Sequence, residues 1–185
     1  MRASDKIKMK LKEIKGIIRT VPHWPKQGVM FRDITTLLKD PKAFHDVIKR
    51  FVKRYKKSNI TKVVGIESRG FIFGSVLAYE LGVGFVPARK PGKLPSKTTR
   101  VEYELEYGKD ALEIHDDAIS QGDNVLIIDD LCATGGTLKA TAELVEKLGG
   151  KIEEIAYVID LPELKGKEKL QKTYKTFNLL EFEGE

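Results

Sequence analysis

An open, mostly parallel α/β sheet flanked by helices is the fold class this sequence predicts, and three observations predict it. Short apolar runs at residues 61–66, 83–88, 124–128 and 152–159 read as buried strands. The run at 124–128 is continuous rather than alternating, as in sheets covered on both faces. Helix-period segments of roughly a dozen residues lie between these runs, the alternation that builds parallel sheets.

Taken in order, residues 5–19 place Ile7, Leu11, Ile14 and Ile18 at near-helical spacing. A short amphipathic helix is expected there. Residues 21–31 hold Pro22, Pro25 and Gly28 and read as an irregular loop. Asp40-Pro41 signals a helix start, because Asp caps and proline at the first helical position loses no needed N–H. That helix runs to about Tyr55. Phe44, Val47, Ile48, Phe51, Val52 and Tyr55 share its inner face, and Lys49, Arg50, Lys53, Arg54, Lys56 and Lys57 form its solvated back. A turn at Glu67–Gly70 follows the first buried strand, then an apolar helix over 71–81 ending at Gly82. After the strand at 83–88 and a loop at 89–99, residues 101–107 alternate strictly and 111–115 return, which reads as a hairpin. Gly135-Gly136 opens a helix with Leu138, Thr141, Ala142, Val145 and Leu148 on one face, and Gly149-Gly150 stops it. A final element of undefined type follows Pro162.

The 185 residues predict a single domain spanning 1–185, without linker or repeat. The charge is +6, from 33 basic and 27 acidic residues, but the basic residues are spread over helix backs and a diffuse Lys165–Lys175 scatter. No nucleic-acid arm is expected. No run reaches the roughly 18 apolar residues of a membrane span, and the first residues lack the apolar core of a signal peptide. One cysteine permits no internal disulfide and fits a reducing cytoplasm. His23, His45 and His115 show no metal-ligand spacing.

The chemistry concentrates in Val125–Thr137, VLIIDDLCATGGT. A buried strand delivers Asp129 and Asp130 at its carboxyl end, the edge where ligands bind open α/β sheets. A loop of small residues then leads into a helix N-terminus. Backbone N–H groups from Ala133, Thr134, Gly135, Gly136 and Thr137 suit a phosphate, and the helix dipole adds to this. Two carboxylates beside a phosphate cradle would repel a second phosphate but accept hydrogen bonds from a vicinal diol. Phosphate next to diol describes a 5-phosphoribosyl group. The Walker A loop and the G-x-G-x-x-G fingerprint are absent. Cys132 reads as a small apolar filler, with a helix N-terminus close enough to lower its pKa and make it oxidisable.

This string resembles the phosphoribosyl pyrophosphate motif of the type I phosphoribosyltransferases. Four further blocks are similar to the adenine phosphoribosyltransferase family. They are V-P-x-W-P-x-x-G-V-M-F-R-D-I-T at 21–35, G-I-E-S-R-G-F-I-F-G at 65–74, R-K-P-G-K-L-P at 89–95 and Y-x-L-E-Y-G-x-D-x-L-E-I-H at 103–115. The resemblance implies a type I phosphoribosyltransferase fold with an N-terminal hood (21–35) and a flexible hairpin loop (95–115). It implies transfer of 5-phosphoribosyl from phosphoribosyl pyrophosphate to adenine, giving AMP and pyrophosphate in purine salvage. Mg²⁺ would be bound mainly through phosphoribosyl pyrophosphate and water, with no direct protein ligand. A cytoplasmic homodimer is implied, with no nucleic-acid or membrane partner.

The same resemblance implies residue roles. Asp129 and Asp130 would hold the ribose hydroxyls. Glu67, Ser68, Arg69 and Gly70 would bind pyrophosphate through a turn that in some members carries a cis non-proline peptide. Arg89, Lys90 and Lys93 would neutralise pyrophosphate, reaching into a neighbouring subunit's site. Met30, Phe31 and Arg32 would bind adenine, Phe31 by stacking and the others through backbone groups. Read alone, Phe31 is better taken as core. Glu106 would approach the base as the hairpin closes, with Arg69 and Arg89 as the other catalytic groups and Tyr107 as a shield. By alternation alone, at least two of Glu102, Glu104 and Glu106 belong to a wet strand face. Two alternatives stay open. One is transfer to hypoxanthine, guanine or xanthine, which the phosphate motif does not discriminate. The other is a non-catalytic sensor of phosphoribosyl pyrophosphate, disfavoured because only some 20 residues precede the hood block.

Overall fold

The computed structural model describes residues 7–105 and 108–184. The chain runs α1 (Leu11–Ile17), β1 (Arg19–Pro22), β2 (Met30–Asp33), α2 (Thr35–Leu38) and α3 (Pro41–Tyr55). Next come β3 (Lys62–Ile66), α4 (Arg69–Leu81), β4 (Gly84–Ala88), β5 (Thr98–Leu105) and β6 (Gly108–His115). It finishes with β7 (Asn124–Cys132), α5 (Gly136–Lys147), β8 (Lys151–Asp160), a 3₁₀ turn at Pro162–Leu164, α6 (Gly166–Leu170) and β9 (Thr176–Glu181).

Five strands form one parallel sheet in the order β4-β3-β7-β8-β9. Alternation on β7 shows why its sequence is apolar throughout. Leu126 and Ile128 pack with α1, α3, α4 and β9 on one face. Val125 and Ile127 pack with α5 and the β5–β6 hairpin on the other. A strand buried on both sides leaves no polar position until its carboxyl end.

The α3 expectation holds in detail. The Asp40 side chain accepts from the Lys42 and Ala43 N–H groups at 2.9 and 3.0 Å. Val47, Ile48, Phe51 and Tyr55 are buried on its inner face. Gly82 closes α4 in the left-handed conformation, φ 69°.

Three expectations need correction. The N-terminal helix is shorter than residues 5–19, and Arg19–Pro22 is strand. Residues 21–31 are not wholly irregular: β1 and β2 pair antiparallel as a separate two-stranded sheet, with Val21 opposite Phe31 and Thr20 opposite Arg32. Pro25 and Gly28 occupy the connection and Pro22 ends β1, and cross-strand pairing overrides the local breaker signal. The element after Pro162 ends in β9, a fifth strand of the main sheet. Its partner β8 lies far enough back in sequence that no local signal announces the pairing.

Candidate active site

The carboxyl ends of β3 and β7 open into a cleft of about 360 Å³. Residues 129–138 form its floor, and Glu67, Ser68, Arg69 and Lys90 stand among its walls. Gly70 sets the spacing of the two loops. A Cβ there would lie 2.8 Å from the Ile128 carbonyl oxygen and 2.9 Å from Asp129 Oδ1. Any side chain at that position would push α4 away from β7. The Glu67–Ser68 peptide in this turn is cis.

Asp129 is half-buried and Asp130 is buried. Asp129 Oδ1 accepts from the Asp130 N–H at 2.8 Å. Burial, and then the Asp130 carboxylate, push Asp129 well above the ordinary carboxylate range. Burial raises Asp130 as well, with the Arg69 guanidinium pulling the other way. Arg69 Nε stands 2.6 Å from Asp130 Oδ2. Among the described residues no other donor reaches that oxygen, although it is buried. A charged acceptor left short of donors at a cleft wall suits a hydroxyl-bearing ligand.

Beside the acids, α5 begins at Gly135, which has φ +82° and supplies no side chain to its first-turn N–H groups. These amides and the helix dipole make an anion site. Glycine at 135 is also required by packing behind the loop. A Cβ there would meet the Gly166 carbonyl oxygen at 3.0 Å and Leu170 Cγ at 3.3 Å, behind the loop. Gly166 is tighter still: its Cβ would overlap the Ala133 carbonyl oxygen and sit 2.7 Å from Gly135 N. Sequence reasoning missed Gly166, because only the fold brings it under the loop. The expectation of an oxidisable Cys132 is also corrected: the residue is fully buried, and burial pushes its thiol up to about 12.

Glu67 contributes more than a backbone turn. Its carboxylate accepts from Arg89 Nε at 3.1 Å, Arg89 Nη2 at 3.3 Å and the Lys90 N–H at 3.0 Å. Burial pushes its pKa up, but these bonds outweigh that and leave it lowered. Arg89 Nη1 donates to the Lys93 carbonyl at 3.0 Å. Lys90 Nζ pairs with Asp110, which also accepts from the Tyr103 hydroxyl at 3.1 Å. Lys90 and Tyr103 line the cleft, whereas Arg89, Lys93 and Gly70 are not among its lining residues. Asp110 and Tyr103 were not foreseen, since the hairpin alternation marks a face but no partner. Glu106 and Tyr107 lie outside the described residues.

Met30 and Phe31 stand on β2, outside the lining of this cleft but next to it. The Phe31 ring contacts Trp24 edge-on at 4.4 Å, and the Arg69 guanidinium stands 5.4 Å from its centre. Arg69 therefore links the Phe31 ring to the acid pair. The Arg32 side chain points elsewhere, into hydrogen bonds with Thr20, Glu183 and Gly184. Among the described residues no cluster of three or more His, Cys, Asp or Glu could hold a metal.

A parallel sheet with an acid pair and an anion-binding helix start at one strand end defines a phosphate-ester site, and the family comparison agrees. The phosphoribosyl transferase domain matches residues 33–183. The adenine phosphoribosyltransferase of Desulfosudis oleivorans is 60% identical over 173 residues, covering 94% of this chain and 99% of that protein. The crystal structure of the Thermoanaerobacter pseudethanolicus adenine phosphoribosyltransferase superposes with TM-score 0.90 at 51% identity, covering 94% of this chain and 100% of that one. The Saccharomyces cerevisiae enzyme, crystallised with adenine and an imino-altritol bisphosphate, superposes with TM-score 0.86 at 41% identity, over 92% of this chain and 98% of that one. The chain belongs to the adenine phosphoribosyltransferase family.

Proposed function

We propose that this chain transfers the 5-phosphoribosyl group of phosphoribosyl pyrophosphate to adenine, releasing pyrophosphate and forming AMP. The observation that carries the reading is the buried Asp130 carboxylate, held by Arg69 alone on its Oδ2 among the described residues, beside the uncapped start of α5. In this reading the 5′-phosphate rests on the amides of residues 133–137, and the ribose hydroxyls donate to Asp129 and Asp130. The pyrophosphate faces Ser68, Arg69 and Lys90, with Glu67 holding Arg89 and the Lys90 amide in place. Adenine stacks on Phe31 and meets C1 from the face opposite pyrophosphate. The C1–O bond weakens first, leaving oxocarbenium character on the sugar, as in glycoside chemistry. The protein then has to orient the base and stabilise the departing charge.

The donor set fits Mg²⁺ carried on substrate, since this ion keeps waters and prefers phosphate oxygens to an all-protein cage. When bound, it would neutralise charge on the departing pyrophosphate. Glu106 takes its role from the family resemblance: it manages the N7 proton as positive charge builds on the base. The reading includes a cytoplasmic homodimer, also by resemblance, in which Arg89 and Lys93 serve the neighbouring site. The buried free Cys132 accords with a reducing compartment. Among the described residues no helix is long and apolar enough to cross a membrane.

Steady-state assays with adenine, hypoxanthine, guanine and xanthine test the substrate, and a preference for another base would overturn it. Glu106→Gln should lower kcat by about 10²-fold or more, the range for general acid–base help. A change below about fivefold would remove the proton role. Mixing inactive Arg89→Ala and Gly136→Asp chains should restore some activity, and verified mixed dimers without rescue would end the sharing of Arg89.

A further inference from the structure

The hood is a separate two-stranded sheet, without hydrogen bonds to the strands of the main sheet. Its placement over the cleft must come from other links. On β2 the side chains alternate, as in any strand. Phe31 contacts Arg69 at the cleft side, whereas Arg32 turns into the protein and is buried at 7% exposure. Its guanidinium Nη1 donates to Thr20 Oγ1 at 2.6 Å, on the opposite strand of the hood. Nη2 donates to the Glu183 carbonyl at 2.7 Å and the Gly184 carbonyl at 2.6 Å, in the segment that follows β9. The Phe182 ring lies 5.0 Å from the same guanidinium. That segment is itself anchored, since the Gly184 N–H donates to Glu163 Oε1 at 3.0 Å.

A buried cation bonded to carbonyls and a hydroxyl, with no carboxylate in hydrogen-bond contact among the described residues, is a weak source of stability. It is a good source of geometry. The planar fork has fixed donor directions, so three acceptors, one on β1 and two in the segment after β9, define one position for β2. Lysine, a point charge on a flexible stem, would not define it as well.

We propose that Arg32 is a positioning residue for the purine: together with residues 182–184 it forms a strap that ties the hood to the edge strand β9 and sets the height of Phe31 over the cleft. The inference rests on reading β2 as the base-facing strand. The strap acts on the base and leaves the phosphoribosyl end alone, because the phosphate loop and the acid pair belong to the main sheet.

The test compares equilibrium binding of AMP, which carries the base, with ribose 5-phosphate, which does not, by calorimetry on full-length variants. Arg32→Met should reduce the ratio of AMP to ribose 5-phosphate affinity by roughly tenfold or more, as small misplacements of binding groups do. Arg32→Lys should fall between Arg32→Met and the parent. Glu163→Ala, an exposed change that frees Gly184, should shift the ratio in the same direction by about threefold, less because it acts at one remove. If Arg32→Met does not fold, Arg32→Lys and Glu163→Ala carry the decision. A ratio within twofold of the parent in every folded variant would overturn the strap, as would equal losses of both ligands. Phe31→Ala reports on the underlying reading. If it lowers the ratio while the strap variants do not, the strap fails and the base-facing strand stands. If it leaves the ratio unchanged, the assignment of Phe31 to the base fails separately.

Discussion

The two ends of the cleft are built in different ways. The end proposed for the phosphoribosyl group is part of the main sheet: Asp129 and Asp130 lie near the carboxyl end of β7, and α5 starts just beyond. Its geometry is inherited from parallel hydrogen bonding and from two dry faces packed with helices and the hairpin. The base end is attached rather than inherited. Its two strands pair only with each other, and long polar side chains hold them: Arg32 to residues beyond β9, Arg19 to Asp33 within the hood. In the proposed reading, a substrate with two chemically distinct halves meets one half-site built into the sheet and one whose position depends on a few contacts. Phosphoribosyl binding should therefore tolerate changes in the hood, whereas base binding should be lost without damage to the sheet.

The largest effect is expected at the inherited end. Asp130→Asn keeps shape but leaves Arg69 without its charge partner and weakens the acceptor for the ribose. The kcat/KM for phosphoribosyl pyrophosphate should fall by about 10²-fold or more, comparable to loss of one preorganised catalytic hydrogen bond. Circular dichroism should report an unchanged fold. Parent-like kinetics in both Asp129→Asn and Asp130→Asn would remove the diol role.

Next comes Gly166→Val. The added side chain has to displace the Ala133–Gly135 backbone, and overpacking of this kind costs about 1–3 kcal/mol. Thermal stability should drop, and AMP and ribose 5-phosphate should weaken together, because both use the same loop. Loss of AMP alone would mean that the loop serves the base rather than the phosphate.

Glu67→Gln should have a smaller and more selective effect. It removes the charge that holds Arg89 and the Lys90 amide, worth about 1.5–3 kcal/mol for hydrogen bonds to a charged group. Turnover of phosphoribosyl pyrophosphate should suffer roughly tenfold in kcat/KM, while AMP, which carries no pyrophosphate, binds as before. Equal losses for both ligands would place Glu67 in general support of the sheet edge.

The smallest effect separates the two ends by pH. Hydrogen bonds from Arg19 and then Thr35 hold the Asp33 carboxyl down at about 2, from an ordinary 3.8. Its contribution is complete above 3.8 and is lost as pH falls from there toward 2. Arg19 is largely exposed, so the loss should be at most about 1 kcal/mol. The Asp129–Asp130 pair has the opposite sign: its raised pKa values mean that falling pH relieves the ligand-free fold of carboxylate repulsion. Trp24, the single tryptophan, stands in the hood beside Phe31. Its fluorescence should show a step between about pH 4 and 2 that precedes the loss of far-ultraviolet circular dichroism, and Asp33→Asn should abolish that step. Coincident transitions in the parent chain would show hood and sheet melting as one unit.

What could be read directly from sequence follows this same division. The strand ends, the Asp129–Asp130 pair and the Gly135–Gly136 helix start are contiguous, so apolar runs, caps and glycines announce them within a dozen residues. The fold class followed for the same reason. The hood strands were hidden by Pro22, Pro25 and Gly28, and β9 by the distance to its partner. The Arg32 fork, the grip of Glu67 on Arg89, and Gly166 beneath the phosphate loop are long-range contacts that no local pattern encodes. Sequence alone determined which segments bring an acid pair and a glycine-rich helix start together, because those groups sit on one strand–loop–helix unit. Only the tertiary structure decided where the base-facing strand rests and which charges hold the basic loop, because those positions are set by pairs of residues that meet only when the sheet has formed.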